Sequence, residues 1–254
     1  AGVAWGTLLA QVYGFAVGLI ALVCVKGRLT QSKAVMHQVV QSRALLRIMK
    51  VNGDLMIRTV CLLVINNLFA NTGSTMGTTM LAANAVLLEI IFIMAYCFDG
   101  IANGVSVFSG RAKGEGAVRL WKDTIRIGLG CAGVMVLLWE GVLAVGGHAC
   151  IAAMTNVAAV KAVAMEYRWA LQVYPICAAV GLVLYGMYTG CGETEWVRNM
   201  MLVAVGVFAI GDWQLTQYWG NTGLWVTYVG TYLLESVLLV IFLRYVHMLP
   251  RPKE

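Results

Sequence analysis

The chain is poor in charge. Only 12% of its 254 residues are Asp, Glu, Lys or Arg, against 60% apolar ones, where soluble domains carry about 25% charged residues. Proline is also scarce, at three residues, and there are three histidines. No low-complexity tract occurs, which removes disorder as the reason for the odd composition. The seven cysteines form no CxxC pair and no Cys/His ligand spacing, and most sit in apolar runs where a thiol packs as a small apolar group. HExxH, GxSxG and phosphate-binding glycine loops are all missing. These absences argue against an enzyme and against a cofactor protein.

What is present is apolar length. Mean hydropathy is +0.79, and seven stretches reach the roughly 20 residues that a bilayer core requires. They run approximately Val3–Val25, Val51–Asn71, Met80–Ile101, Thr124–Val145, Tyr167–Thr189, Met200–Trp219 and Leu224–Val246. The composition predicts an all-α polytopic membrane protein with about seven transmembrane helices.

The net charge of +6 is distributed by side. All cations except Lys161, Arg58 and Arg168 fall in alternate loops, at the span ends beside those loops, or at or after the end of the last span. The positive-inside rule assigns those loops to the cytoplasm. The chain is therefore expected in the inner or plasma membrane, with Ala1 outside and the C-terminus inside. That distribution is a topology signal and not a nucleic-acid footprint. A chain that begins outside with AGVAWG and no delivery signal reads as the later part of a longer protein.

Polar groups inside the third span suggest what the helices do. Leu81–Gly104 carries Asn84, Glu89, Tyr96, Asp99 and Asn103. A carboxylate near the bilayer centre costs about 2.5–3.5 kcal/mol on insertion scales, so it is retained where it faces protein or water. Glu89, Tyr96 and Asn103 recur every seven residues, and Asp99 lies about 80° from Glu89 around the axis. This stripe reads as a transport pathway, with Asp99 and Glu89 as candidate proton or cation carriers. Asp54 and Arg58, spaced i, i+4, are expected to pair as a structural or gating ion pair. Asn66, Asn67 and Asn84 suit interhelical hydrogen bonding. Tyr185 and Tyr188, beside Gly186 and Gly190 and after Pro175, suit either a wall for flat cations or plain packing. Glu140 and Asp212 are expected near the outer surface, and Glu235 deeper.

The segments VNGDLMIRT, LAANAVLLE with AYCFDGIANG, and WGNTGLWVTY resemble the multidrug and toxic compound extrusion (MATE) family, most of all its DNA-damage-inducible protein F branch. The resemblance implies a fold of twelve helices in two six-helix lobes. It further implies export of organic, often cationic, compounds by proton- or sodium-coupled antiport, with no cofactor beyond the coupling ion. On that reading residues 1–25 are the last helix of a truncated N-terminal lobe and 26–50 a basic cytoplasmic linker. Residues 51–248 then form a complete C-terminal six-helix lobe, and 249–254 a cytoplasmic tail. The partners implied are the lipid bilayer, a small organic substrate and the missing N-terminal lobe. Three positions depart from the pattern: Tyr185 precedes Gly186 where an aspartate is usual, Ser106 stands where a glutamate is usual, and Glu89 where glutamine is commoner. A degenerate or partial protein without transport, and a seven-helix receptor, are the alternatives. Span seven holds no lysine for a retinal Schiff base, which counts against a photosensor.

Overall fold

The computed structural model describes residues 2–26 and 42–243. The rest of the predicted linker, the C-terminal tail and the last residues of span seven lie outside the described residues. The chain divides into two units, Ala1–Met49 and Lys50–Glu254. The first contains helix α1 (Gly2–Lys26), whose only charged residue is its last. Helix α2 (Ser42–Thr75) begins in the first unit and runs into the second. It starts earlier than the hydropathy profile predicts, because Arg43, Arg47 and Lys50 extend it beyond its apolar part.

The second unit is a helical bundle. After α2 come α3 (Thr78–Glu115), α4 (Val118–Met154), the short α5 (Ala158–Glu166), α6 (Trp169–Gly190) and α7 (Thr194–Phe242). Helices α3, α4, α6 and α7 are long and apolar enough to cross a membrane. Helix α5 was not expected; it seats Val160 and Ala164 in the core beside α3 and α4. The basic run GRAKGEG, residues 110–116, is mostly the last part of α3. Only Gly116 closes it, in a left-handed conformation, and the next N–H, of Ala117, bonds back to Ala112 at 2.9 Å.

Helix α7 is two spans joined by one residue. Gly220 has φ 52° and ψ −133°, a region that side-chain-bearing residues avoid. The two arms then run back along each other. Gly211 faces the Thr227 side chain, and Gly223 lies against the Leu215 carbonyl. This reversal restores the separate sixth and seventh spans of the hydropathy profile.

Apolar burial alone does not hold helices together in lipid, since hydrocarbon tails are as apolar as leucine. Close approach of small residues does. On α4 the buried positions Thr124, Gly128 and Ala132 recur every four residues and face inward. Large Ile127, Val134, Leu137, Leu138 and Val145 are exposed on its outer surface. Helix α6 is the central element, packed by α3, α4 and α7. It therefore buries residues all around, including Leu171, Tyr174, Val183, Leu184, Met187 and Tyr188.

A polar lock closes the end of the bundle near Gly220. Asn84 of α3 and Asn221 of α7 exchange two hydrogen bonds, 2.7 and 3.0 Å, and the Trp225 indole N–H donates to Asn84 at 3.0 Å. Beside it, Thr72 of α2 donates to Asp212 at 2.7 Å and Thr216 to the other carboxylate oxygen at 3.1 Å. The expectation of interhelical hydrogen bonding by Asn84 thus has its partners. Asn84→Leu strands the Asn221 amide and the indole N–H in the core. A loss of about 1–3 kcal/mol is expected, read as a lower melting temperature in detergent. Asn84→Leu/Asn221→Leu should cost less than the two single changes added, because each single change orphans the other partner. Additive costs would contradict the lock.

Candidate functional site

At the opposite end of the bundle, where α3 meets α4 and α6 meets α7, the charged residues form a belt. Lys113 of α3 bonds Glu193 at 2.7 Å and the Cys191 carbonyl at 2.8 Å. Lys50 pairs with Glu195 at 2.9 Å. Buried Asp54 of α2 accepts from Arg198 at 2.6 Å and from the Thr194 hydroxyl at 2.9 Å. The predicted Asp54–Arg58 pair is corrected here: the partner of Asp54 is Arg198. The first two turns of α7 bring two donors to the carboxylate, one for each oxygen, which a single i+4 neighbour does not supply. Burial pushes the Cys191 thiol up from its ordinary value, so it is a weak nucleophile.

Released from Asp54, Arg58 turns deeper into the bundle. Its guanidinium carbon lies 3.9 Å from the centroid of the Tyr185 ring on α6, a cation–π contact. It forms no ion pair among the described residues, and its Nε is buried without a hydrogen-bond partner. Two carboxylates lie near enough to feel its charge, Asp99 on α3 and Glu235 on the second arm of α7. Glu235 is 4% exposed and its Oε1 has no partner. Tyr174 and Tyr232, edge to face at 4.9 Å, complete the surroundings.

The sequence stripe divides at this point. Asp99 is half-buried and turned toward Arg58, whereas Glu89 and Asn103 are exposed and Tyr96 is 72% exposed on the outer face of α3. Asp99 and Tyr185 are thus brought to one place around Arg58. Glu89, Tyr96 and Asn103 remain together on a face that is exposed among the described residues. The 80° offset between Asp99 and Glu89 is enough to put them on different sides of the helix surface. Arg58 was misplaced by the reading of residues, because i, i+4 spacing suggests a local partner and hides a tertiary one. Glu235 carried a signal, a lone carboxylate deep in an apolar run.

Close backbone contacts set the crossing of α6 and α3. Gly186 lies where α6 crosses α3, its Cα against the Ala102 carbonyl, and Gly190 lies likewise against the Ser106 carbonyl. Ser106 faces the same crossing, 3.4 Å from the Thr189 hydroxyl, where a longer glutamate would meet α6.

Known proteins resemble this bundle closely. The MatE family model matches residues 55–213. DNA damage-inducible protein F of Escherichia coli (strain K12) is 30% identical over 181 residues, covering 71% of this chain and 39% of that protein. A MATE protein in the bent conformation superposes with a TM-score of 0.73 at 15% identity, covering 81% of this chain and 47% of the other. An outward-facing multidrug resistance MATE transporter gives 0.74 at 15% identity, with 81% and 46% covered. A MOP superfamily transporter from Pyrococcus furiosus Vc1, described with a binding pocket of reverse polarity, gives 0.69 at 17%, with 78% and 44% covered. The chain spans less than half the length of each of these relatives. With the family model matched over most of the bundle, the chain belongs to the MATE family of multidrug-efflux transporters.

Proposed function

We propose that this chain supplies the C-terminal lobe of a secondary active transporter that exports organic, often cationic, compounds by proton- or sodium-coupled antiport with alternating access. In this reading α1 is the last helix of a preceding lobe, and the segment 26–50 is the cytoplasmic link to the bundle. The basic belt faces the cytoplasm and the Asn84–Asn221 lock faces outward, in keeping with the loop charges. The protein sits in the inner or plasma membrane, with lipid against the outer surface of α4. Glu89, Tyr96 and Asn103 then belong to the wall of the translocation pathway facing the other lobe. The Asp54–Arg198 pair is a structural or gating contact at the cytoplasmic end.

The observation that carries this reading is Asp99. It is a carboxylate in the middle of an apolar helix, half-buried and within reach of the charge of Arg58, which forms no ion pair among the described residues. A half-open carboxylate beside a fixed positive charge suits the ion pathway of an antiporter better than an anchoring role. In cells expressing the natural gene, Asp99→Asn should slow efflux of a fluorescent lipophilic cation at least about tenfold, a barrier change of about 1.4 kcal/mol. Efflux at the wild-type rate, with the variant present at wild-type amount in the membrane, would refute a coupling role for Asp99.

The exposed polar stripe also favours one alternative. A bundle standing alone in lipid would leave Glu89 facing hydrocarbon, which is costly. A product without its second lobe should therefore misassemble, dimerise or be degraded. Stable monomeric chain that transports on its own would exclude that alternative.

A further inference from the structure

We infer that Arg58, Asp99 and Glu235 form a proton-carrying site inside the bundle, in which the Arg58 guanidinium takes the place of a coupling metal cation and Glu235 holds the exchangeable proton. The inference rests on the transporter reading only for its use in coupling; the site itself is argued from geometry.

Three charged side chains from three helices converge in an apolar interior, Arg58 from α2, Asp99 from α3 and Glu235 from α7. Two polar atoms there are buried and unpartnered, the Arg58 Nε and the Glu235 Oε1. Arginine stays charged at any pH a protein survives. With both carboxylates ionised the cluster carries one net negative charge, and a buried charge without compensation is strongly disfavoured. One monovalent cation restores neutrality. The guanidinium, held on the Tyr185 ring, already supplies one fixed positive charge to both carboxylates, so a proton is the smallest cation that completes neutrality. A metal ion there would need to approach the fixed positive charge.

Of the two carboxylates, Glu235 is the fully buried one and Asp99 is half open. Asp99 therefore stays as the counter-charge of Arg58 on the wet side. The proton moves from water onto a Glu235 carboxylate oxygen, forming an O–H, and returns to water when that bond breaks. The groups facing Glu235 are few. Arg58 comes from α2, Asp99 from α3, Tyr174 from α6 and Tyr232 from α7 itself, and no charged group of α4 or α5 acts on it.

The test uses protein expressed from the natural gene and reconstituted in liposomes. Infrared difference spectra between acidic and alkaline buffer should show a protonated-carboxyl C=O band that Glu235→Gln removes and Asp99→Asn only shifts. Equilibrium binding of radioactive sodium should be absent in the wild type. It should appear in Arg58→Gln and stay absent in Arg58→Lys, which keeps a cation. If Arg58→Gln does not fold, the Glu235→Gln and Arg58→Lys arms still decide. A carboxyl band surviving Glu235→Gln, or sodium binding by the wild type that protons displace, overturns the site. Loss of organic-cation efflux with the Glu235 band intact refutes the transporter reading alone. Proton-driven efflux that persists in Glu235→Gln refutes the site and leaves that reading standing.

Discussion

Gly186→Ala is expected to be among the most damaging small substitutions in the bundle. A single methyl there would lie on the Ala102 carbonyl of α3, and carbonyl backbone does not rotate away as a side-chain tip does. The helices would have to separate by a good fraction of the methyl's diameter. Separation would also loosen the next turn, where Gly190 touches the Ser106 carbonyl and Gly110 approaches Gly190. Overpacking a tight core costs about 1–3 kcal/mol in ordinary cases; at a backbone-to-backbone crossing the upper end is expected. Central α6 transmits the shift to Tyr185, and hence to Arg58. The result should be a large fall in the yield of monodisperse protein on size-exclusion chromatography, and a melting temperature lower by several degrees. Ala at Gly133, where a methyl meets nothing within 4 Å, is the control and should be silent. Equal behaviour of the two variants would contradict the crossing.

Asp54→Ala is expected to have the second largest effect. The carboxylate is 3% exposed and takes both the Arg198 guanidinium and the Thr194 hydroxyl. Removing it leaves Arg198 facing a buried void without its counter-charge. Breaking a fully buried pair costs about 3–5 kcal/mol. Arg198 keeps 29% of its side chain exposed, so water recovers part of that and about 2–3 kcal/mol is the expected loss. Asp54→Asn, which can still accept from Thr194, should lie between Ala and wild type. The measurement is thermal unfolding in detergent at moderate salt. Asp54→Ala/Arg198→Ala should be less harmful than the sum of its parts. Arg58→Ala should leave this stability term untouched, since Asp54 does not pair with it. Equal destabilisation by Arg58→Ala and Arg198→Ala would restore the i, i+4 pair.

Much of the molecule was readable from residues because lipid leaves the backbone few options. A long apolar run must close its own hydrogen bonds, so hydropathy alone marked the helices. Their ends were less legible. Arg43 to Lys50 prolong α2, and most of GRAKGEG continues α3, because charged residues at a membrane surface extend a helix as readily as they end it. Helix α5 left no signal, being too short and too mixed to stand out. Asn84 could be read as an interhelical donor, since a buried amide in hydrocarbon has little other use. Its partners Asn221 and Trp225, about 140 positions away, could not.

The candidate site shows the same division. Sequence placed Asp99 and Glu89 on one helix and gave their angular offset. It could not say that 80° separates the interior of the bundle from its outer face, because that depends on where α2, α6 and α7 stand. The i, i+4 rule offered Asp54 to Arg58 and was overruled by α7, which supplies two donors at closer quarters.

By itself, then, the sequence determined that this is a helical membrane protein of the MATE type, through hydropathy, loop charge and local motifs that act over a few turns. Only the tertiary structure decided that Arg198 holds Asp54, that Arg58 lies on the Tyr185 ring, and that Gly186 touches α3. Each of those facts is a contact between helices far apart in the chain. Contacts of that kind are fixed by how closely small residues let backbones approach, and no single segment encodes that distance.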